Sequence, residues 1–310
     1  MIIVTGGCGF VGSHVVERLL SKGYEIGIIS RPLCKHENIR HILPKIKFYN
    51  GDISDNKIFD EVLKKEKNVD CIVHIAALIN VDESIKTPRP FWDVNVNGTF
   101  NVIEYARKQD AKVLYMSTCE VYGNIPVGKA DETHLTNPCS PYAASKLAAD
   151  RYCFAYHHTY GLPLTIIRGF NIYGPRQSAA TYGAVIPKFI TRTLNNQPPL
   201  VFGDGLQTRD YVFVEDVADG IVKAIEKNEF SGDVINLATG VDHTIKNVAE
   251  KVIDACGKSG KMCPEFVQAR AGEMRRSIGD ASKAKRVLDW TPKVNFDEGL
   301  KRTVEFFRKK

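Results

Sequence analysis

The sequence predicts an α/β protein that is built on a doubly wound, mainly parallel sheet and carries a smaller, discontinuous lobe. Three observations support this prediction. A short apolar run at the N-terminus leads directly into a glycine-rich turn, apolar runs then alternate with longer helical patterns, and the alternation breaks down from about Gly174. With 310 residues, the chain is long enough for one large domain or for two unequal ones.

The N-terminal segment MIIVTGGCGFVGSH has the order strand, glycine turn and helix start. Ile2–Thr5 is apolar and largely β-branched, which is typical of a buried strand. Gly6, Gly9 and Gly12 follow at the spacing G-x-x-G-x-x-G, which differs from the G-x-G-x-x-G fingerprint. Such a turn lets the backbone approach a diphosphate, and the N–H groups and dipole of the following helix favour negative charge. A glycine turn without a ligand is the alternative, and the position directly after the first strand counts against it.

Strand-like and helical patterns alternate along the chain, which implies parallel strands with helices on both faces of the sheet. Ligands in such sheets bind beyond the carboxyl ends of the strands, so residues directly after each strand are candidates for a site. The expected strands are Ile2–Thr5, Glu25–Ile29, Lys47–Tyr49, Cys71–Ile75, Lys112–Ser117, Leu164–Arg168 and Val234–Leu237. The expected helices include 12–22, 58–65, 90–108 and 141–160.

Prolines and glycines interrupt this pattern after residue 173, and a helix at Val214–Lys227 with the strand near Val234 then returns to the sheet. We therefore expect a large domain from residues 1–173 plus about 212–240. The smaller lobe comprises about 174–211 plus 241–310, and we expect it to lie over the strand ends.

Composition excludes several classes of protein. The net charge is +6, but lysines and arginines are scattered, so we expect no nucleic-acid partner. No apolar run is long enough to cross a membrane, and the first strand leaves no room for a signal peptide, so we expect a cytoplasmic protein. The eight cysteines form no C-x-x-C pair and no zinc spacing, so we expect no metal site.

The segment SPYAASK at residues 140–146 predicts a helix start that carries an acid/base pair. Ser140 is a good N-cap and Pro141 suits the first helical position. Tyr142 and Lys146 are four residues apart and share a helix face. An ammonium group beside a phenol is expected to lower the pKa of the tyrosine, which suits proton transfer near neutral pH. The alternative is an exposed Tyr/Lys pair, which is common on helices.

A second polar group lies at the end of an expected strand, in MSTCEVYG at residues 116–123. Thr118 should face the crevice, where its hydroxyl can bind a substrate hydroxyl and relay a proton to Tyr142. Glu120 is either a base or a solvated loop charge. The role of Cys119 between them is open.

Together these motifs resemble the extended short-chain dehydrogenase/reductase family, in particular its nucleotide-sugar branch. Further matches are GDI at 51–53, HIAA at 74–77, NVNGT at 95–99, RGFNIYGPRQ at 168–177, FGDGLQTRDYVFVEDVADG at 202–220 and the stretch that begins at Arg270. The resemblance implies a Rossmann domain that binds NAD or NADP tightly and a lobe that binds a nucleotide-diphosphate sugar. It implies catalytic roles for Tyr142, Lys146, Thr118 and Glu120. Cofactor contacts are implied for Gly6, Gly9, Phe10, Val11, Gly12, Arg31, Asp52, Ile53, Ala76, Ala77, Asn95, Tyr142 and Lys146, and substrate contacts for Thr118, Asn171, Arg209 and Arg270. The resemblance also implies a dimer in which helices near 97–108 and 142–158 pair across a two-fold axis, so we expect a homodimer.

The choice between NAD and NADP rests on the end of the second strand, IISRP. NAD sites usually place an acidic residue there, whereas this chain has Ser30 and Arg31. The missing carboxylate and the nearby guanidinium favour NADP. The resemblance to the epimerases of the family implies NAD instead. The sequence therefore does not decide between NAD and NADP.

The resemblance favours a 4-epimerase that acts through a transient 4-keto sugar. The stretches YGPRQSAATYGAVIPKF and FGDGLQTRDYVFV are most similar to those enzymes. Thr118-Cys119-Glu120 is similar to the T-x-E pattern of 4,6-dehydratases and decarboxylases, in which the glutamate is a base. Many dehydratases have aspartate where Cys119 stands. A non-catalytic NADP-sensing or RNA-binding relative is a hypothesis from another class, but such a protein would not need Tyr142 and Lys146.

Overall fold

A computed structural model describes residues 1–31, 36–179, 184–269 and 274–309. The described strands are β1 (Ile2–Thr5), β2 (Ile26–Ser30), β3 (Lys47–Asn50), β4 (Cys71–His74), β5 (Lys112–Thr118), β6 (Leu164–Gly169), β7 (Ile172–Tyr173), β8 (Leu200–Phe202), β9 (Thr208–Asp210), β10 (Val212–Phe213), β11 (Ser231–Leu237), β12 (Asp242–Thr244), β13 (Glu265–Val267) and β14 (Arg276–Ser277). The α-helices are α1 (Phe10–Ser21), α2 (Lys57–Lys65), α3 (Val81–Lys86), α4 (Arg89–Phe91), α5 (Gly98–Gln109), α6 (Pro141–Tyr160), α7 (Val185–Leu194), α8 (Val214–Glu226), α9 (Ile245–Ala255), α10 (Ser282–Leu288) and α11 (Phe296–Arg308). Short 3₁₀ helices span His36–Asn38, Arg40–Lys45 and Cys119–Tyr122, and a π-helical segment, Trp92–Asn97, joins α4 to α5.

The large sheet has seven strands in the order β11-β6-β5-β4-β1-β2-β3. Every neighbouring pair in it is parallel, and Val4 lies opposite both Ile28 and Val73. The chain reverses its direction of winding between β1 and β4, and in such sheets the crevice at this switch point receives the ligand. The predicted α/β fold is confirmed, and each expected strand is present with small shifts at its ends.

Side chains of successive strand residues point to opposite faces, so the sheet separates two apolar cores. Helices α1 and α8 pack together over one face, and α5 and α6 pack over the other. The first core contains Val4, Ile28, Val73 and Leu114, and the second contains Ile3, Ile29, Ile72 and Val113.

Helix α6 occupies the span that the sequence predicts, and local chemistry explains both of its ends. Ser140 accepts a hydrogen bond from the backbone N–H of Ala143 (3.1 Å), and Pro141 takes the first helical position. Gly161 ends the helix with a φ of +68°, a left-handed conformation that glycine adopts without strain. Tyr142 and Lys146 therefore lie in the first two turns, close to the switch point.

The remaining described strands form three small sheets, which order as β12-β9-β14, β13-β8 and β10-β7. A third apolar core lies among α7, α9 and α11. Helix α10, which the expected boundary assigns to the smaller lobe, instead packs against α8 and β11. The reason is that Ala284, Leu288 and Trp290 are buried in the core of the large sheet. The division into two domains otherwise stays a prediction.

Within the described ranges, no helix combines the length and the apolar character that crossing a bilayer requires. The helices expected at a dimer contact expose aromatic side chains: Phe100 on α5 is 41% exposed, and Tyr152 and Phe154 on α6 are 47% and 40% exposed. The homodimer stays a prediction, which analytical ultracentrifugation tests.

Candidate active site

The glycine turn is so tight that side chains are excluded from it. Gly6 has a φ of +71°, and a Cβ added to Gly12 would lie 2.2 Å from the carbonyl oxygen of Gly6. The backbone N–H of Gly9 donates to that same oxygen (2.9 Å). Gly9 is the N-cap of α1 and offers no side chain, and the first turn of α1 contains no acidic residue. This turn fits the diphosphate of a dinucleotide, because the free N–H groups at the start of α1 meet no competing anion.

A cleft of about 1030 Å³ runs along the carboxyl ends of the strands, from the glycine turn to the start of α6. It brings together most of the residues that the sequence predicts for the site. These are Gly6, Gly9, Phe10, Val11, Gly12, Arg31, Asp52, Ile53, Ala76, Ala77, Thr118, Glu120, Tyr142, Lys146 and Asn171.

Two predicted residues lie elsewhere, and one cannot be placed. Asn95 is not among the residues that line the cleft; it is 1% exposed and supports the wall from behind. Its side chain bonds the backbone N–H and C=O of Leu78 (2.8 and 2.9 Å) and donates to Ser145 Oγ (3.0 Å). Arg209 lies on β9 outside the lining of the cleft, near enough to Glu120 for its charge to lower the pKa of that carboxyl, and Arg270 lies outside the described residues.

A buried polar network behind the cleft was not recognised from the sequence. Thr5 Oγ1 bonds His74 Nδ1 (2.7 Å) and accepts from the N–H groups of Ile75 and Ala76 (both 3.2 Å). His74 Nε2 bonds Thr99 Oγ1 (2.9 Å). Burial lowers the pKa of His74 to about 3, so the ring is neutral and can donate from one nitrogen while it accepts at the other. The network fixes the backbone of HIAA next to the glycine turn.

The ends of β2 and β3 carry the groups that would meet the adenosine part of a cofactor. Arg31 lines the cleft and is exposed. Asp52 also lines it, but one of its carboxylate oxygens accepts from the N–H and the hydroxyl of Ser54 (2.9 and 2.8 Å). Arg31 thus brings a positive charge to this end of the cleft, where Glu37 and Asp52 are acidic.

Tyr142 is buried where the cleft meets the start of α6, and its pKa is raised rather than lowered. Burial is the largest cause, and the charges of Glu120 and Cys119 act in the same direction, while hydrogen bonding with Thr118 opposes them. Lys146 donates to the carbonyl of Met116 (2.7 Å) and lies 4.4 Å from the centre of the Tyr115 ring. Its own burial lowers the pKa of Lys146 to about 8. The expected lowering of the Tyr142 pKa by Lys146 is wrong: burial raises that pKa, and the Lys146 ammonium is bound to the carbonyl of Met116.

Glu120 is half-buried in the wall of the cleft and is not a solvated loop charge. It lies in the 3₁₀ turn that follows β5, and its backbone N–H donates to Thr118 Oγ1 (3.3 Å). Burial raises the pKa of Glu120 to about 7, and the positive charge of Arg209 partly opposes this shift. The carboxyl is thus poised to gain or lose a proton near neutral pH.

Cys119 and Asn171 line the same part of the cleft. The Cys119 thiol accepts from Ser277 Oγ (3.7 Å), and burial raises the pKa of Cys119 to about 11, so it stays protonated at neutral pH. Asn171 donates to the carbonyl of Asp210 (2.8 Å). Asp210 in turn accepts from Thr239, Gly240 and Gly279, which ties β9 and Arg209 to the ends of the large sheet.

Residues 3–303 match the family model described as GDP-mannose 4,6 dehydratase. The chain belongs to this family of nucleotide-sugar epimerases and dehydratases. The family membership expected from the motifs is thereby confirmed.

Three relatives illustrate the range of the family. The UDP-glucose 4-epimerase of Mycolicibacterium smegmatis is 37% identical over 313 residues, which cover 99% of this chain and 98% of that protein. The solved UDP-glucose 4-epimerase of Thermotoga maritima with UDP-glucose is 34% identical, with a TM-score of 0.93 over 99% of this chain and 98% of that one. The dTDP-glucose 4,6-dehydratase of Streptomyces venezuelae, solved with NAD, is 33% identical, with a TM-score of 0.92 over 100% and 97%.

The chain is therefore an enzyme of the nucleotide-sugar epimerase/dehydratase family. Relatives at 31–37% identity include epimerases, dehydratases and a UDP-N-acetyl-alpha-D-glucosaminuronate decarboxylase. NAD is the cofactor named for solved members of both main groups. Which of these reactions the chain performs depends on the chemistry of its own site.

The raised pKa of Glu120 predicts a pH-dependent cost in stability. Between about pH 4.5 and 7 the unfolded chain loses this proton while the folded protein keeps it, so wild-type stability falls as pH rises through that window. Glu120→Gln removes the titrating group. We expect the variant to exceed the wild type in free energy of unfolding by about 2 kcal/mol at pH 8, with the difference vanishing near pH 4.

Urea unfolding across this pH range measures the effect. Glu61→Gln is the control, because Glu61 is 46% exposed and pairs with Lys65 at the surface. Its effect should stay below about 0.5 kcal/mol at every pH. If the difference in free energy of unfolding between Glu120→Gln and the wild type does not vary with pH, the pKa of Glu120 is not raised in the folded protein.

Proposed function

We propose that the chain is an NAD(P)-dependent nucleotide-sugar 4-epimerase. The observation that carries this choice is the buried thiol of Cys119 between Thr118 and Glu120. A 4,6-dehydratase needs an acid to expel the 6-hydroxyl of the sugar, and a thiol with a pKa of about 11 is a poor acid. An epimerase needs no such group. The similarity to the epimerases of M. smegmatis and T. maritima supports the same choice.

In this proposal Tyr142 moves the proton of the sugar 4-hydroxyl. A nicotinamide cofactor held by the glycine turn and the cleft would supply reversible hydride transfer at C4 of the sugar. Tyr142 takes the hydroxyl proton as the hydride leaves and gives it back after the sugar has turned, so no atom is gained or lost. Thr118 orients the same hydroxyl. Lys146 supplies positive charge beside the forming phenolate, since its pKa of about 8 leaves it largely protonated at neutral pH.

The nucleotide sugar would lie between the catalytic residues and the smaller lobe. Asn171 faces the cleft and would contact the substrate. Arg209 would bind the diphosphate, because a guanidinium matches phosphate oxygens in both charge and geometry. We propose Arg270 as the second residue that binds the diphosphate, because it begins a stretch of sequence that resembles the family.

The second candidate function is a 4,6-dehydratase, and Glu120 favours it. A carboxyl with a pKa of about 7 is suited to take the proton from C5 of a 4-keto sugar. A sugar-acid decarboxylase, which shares the T-x-E pattern, is a less favoured alternative, because the decarboxylase relative is less similar to this chain than the epimerases are. A non-catalytic NADP sensor would not need the buried Tyr142 and Lys146.

A panel of UDP-, GDP-, CDP- and dTDP-sugars followed by mass spectrometry tests the reaction type. We expect a new isomer of unchanged mass, and Glu120→Gln should slow its formation by less than about ten-fold. Loss of water, abolished by Glu120→Gln, would establish the dehydratase instead. Loss of carbon dioxide would establish a decarboxylase, and no product from any sugar would favour the sensor.

Tyr142→Phe tests the acid/base assignment. The variant keeps the ring but loses the hydroxyl, so we expect turnover to fall by about 10³-fold while NADH binding changes less than two-fold. Tyr152→Phe on the exposed face of the same helix is the control and should retain wild-type turnover. Normal turnover by Tyr142→Phe would exclude Tyr142 as the proton carrier.

We propose that Arg31 lets the site accept NADP as well as NAD, because it offers a positive charge where NAD sites usually carry a carboxylate. Arg31→Asp should lower NADPH affinity relative to NADH by more than ten-fold, as measured by nucleotide fluorescence. Arg40→Asp makes the same change in charge outside the cleft and serves as the control. An unchanged NADPH/NADH ratio in Arg31→Asp would refute this role.

A further inference from the structure

A buried ion pair lies behind the cleft, between α6 and the large sheet. Asp150 on α6 is 0% exposed and Arg168 on β6 is 2% exposed. Arg168 Nε donates to one carboxylate oxygen of Asp150 (3.0 Å), and Nη2 donates to the other (3.2 Å). Moving two charges out of water costs free energy, so a buried ion pair is weak evidence for added stability. The other contacts of Asp150 indicate a different use for the pair.

Asp150 lies on the same side of α6 as the predicted acid/base pair. Tyr142, Lys146 and Asp150 follow one another at intervals of four residues, so they occupy successive turns of one helix face. The carboxylate is therefore one turn beyond the ammonium, on the side away from the phenol.

This face of α6 is bound to three consecutive residues at the end of β5. The Lys146 ammonium donates to the carbonyl of Met116 (2.7 Å), and Asp150 accepts from Ser117 Oγ (3.1 Å). Thr118, the next residue, forms the hydrogen bond with the catalytic phenol. Each turn of the helix face thus contacts one residue of the strand end, and the Ser117 bond lies directly beside Thr118.

Arg168 holds the carboxylate from the neighbouring strand. It lies opposite Ser117 in the register of β5 and β6. Its guanidinium stacks over the ring of Tyr122 (4.8 Å to the ring centre), whose hydroxyl donates to Asn236 (2.8 Å). With packing on one side and two bonds to Asp150 on the other, the guanidinium has a fixed place in the core.

The groups around the Lys146 ammonium make Asp150 its source of negative charge. His74 on β4, Tyr115 on β5 and Cys153 on α6 lie beside it. Burial lowers the pKa of His74 and raises the pKa values of Tyr115 and Cys153, so these three are uncharged at neutral pH. Burial also lowers the pKa of Lys146, and Cys153 and Asp150 oppose that shift. Among these described groups, Asp150 is the carboxylate.

We propose that Asp150 is a positioning residue of the active site, which Arg168 holds in place and which fixes Lys146 and the end of β5 relative to each other. This inference rests on the proposed function for the roles of Lys146 and Thr118. Through Ser117, Asp150 sets the place of Thr118. Through its charge, it favours the protonated ammonium that stabilises the forming phenolate.

The alternative is that the ion pair only joins α6 to the sheet. The pKa of Lys146 separates the two roles, and NMR of the full-length protein labelled with ¹³C-lysine measures it directly. The signal is assigned by its absence from Lys146→Met. We expect Asp150→Asn to lower the pKa of Lys146 by about 1 or more, because a nearby opposite charge is lost. A wild-type pKa of Lys146 in Asp150→Asn would overturn the proposal.

Turnover of the nucleotide sugar gives a second readout. Because the protonated ammonium supports the phenolate, the decline of turnover at high pH should move to lower pH in Asp150→Asn, together with the pKa of Lys146. A merely structural loss would lower turnover by the same factor at every pH, and that result would contradict the proposal. The NMR titration involves no sugar, so a failure of the proposed epimerase activity leaves it intact.

Asp219→Asn is the matched control. Asp219 on α8 is 13% exposed and pairs with Arg18 on α1 (2.6 Å), so the same substitution breaks an ion pair away from α6. It should leave the pKa of Lys146 unchanged. An equal fall of this pKa in Asp219→Asn would show that the shift reflects a general loss of stability, which would refute the role of Asp150.

A double variant keeps the test decisive if Asp150→Asn fails to fold. Asp150→Asn/Arg168→Gln removes both charges, so no unpaired guanidinium is left in the core. Asp150 is among the groups that shift the pKa of Lys146 and Arg168 is not, so the pKa of Lys146 should still fall in this variant. A wild-type value there would overturn the proposal.

Discussion

The absence of side chains at the glycine turn is the constraint on which the site depends. With a Cβ at Gly12 only 2.2 Å from the Gly6 carbonyl, α1 could not begin where it does. A displaced α1 would move its free N–H groups away from the carboxyl end of β1, and it would separate Ser13 and Glu17 from Arg176. A short contact between two backbone segments thus sets the distance between the end of the sheet and the helix above it, which is where an anion can bind.

Buried hydrogen bonds connect this turn to the catalytic helix. Thr5, at the end of β1, bonds His74, which bonds Thr99 on α5. One turn earlier, the π-helical segment places Asn95 so that it bonds Ser145, whose hydroxyl donates to the carbonyl of Tyr142 (2.7 Å). Because these groups have no access to water, breaking one bond would leave a buried polar atom unsatisfied, so the network resists distortion. The network therefore fixes the glycine turn and the start of α6 relative to each other.

Burial also determines the electrostatics of the site. It raises the pKa values of Tyr142, Glu120 and Cys119 and lowers that of Lys146, so each group is pushed towards its neutral form. An acid with a pKa of about 7 beside a buried phenol is typical of a functional site. The raised pKa of Glu120 lowers the free energy of unfolding at neutral pH, and it also lets the carboxyl exchange a proton with a substrate.

The sequence by itself determined the fold, because the periodicity of apolar residues and the caps of α1 and α6 are local properties. Motif spacing likewise identified the glycine turn, the Tyr142–Lys146 pair and the family. The tertiary structure alone decided that Glu120 is half-buried with a raised pKa, that Asn95 supports the wall of the cleft, and that Arg176 returns to α1 from more than 150 residues away. Desolvation and long-range contacts are sums over the whole packed chain, so no segment read alone contains them.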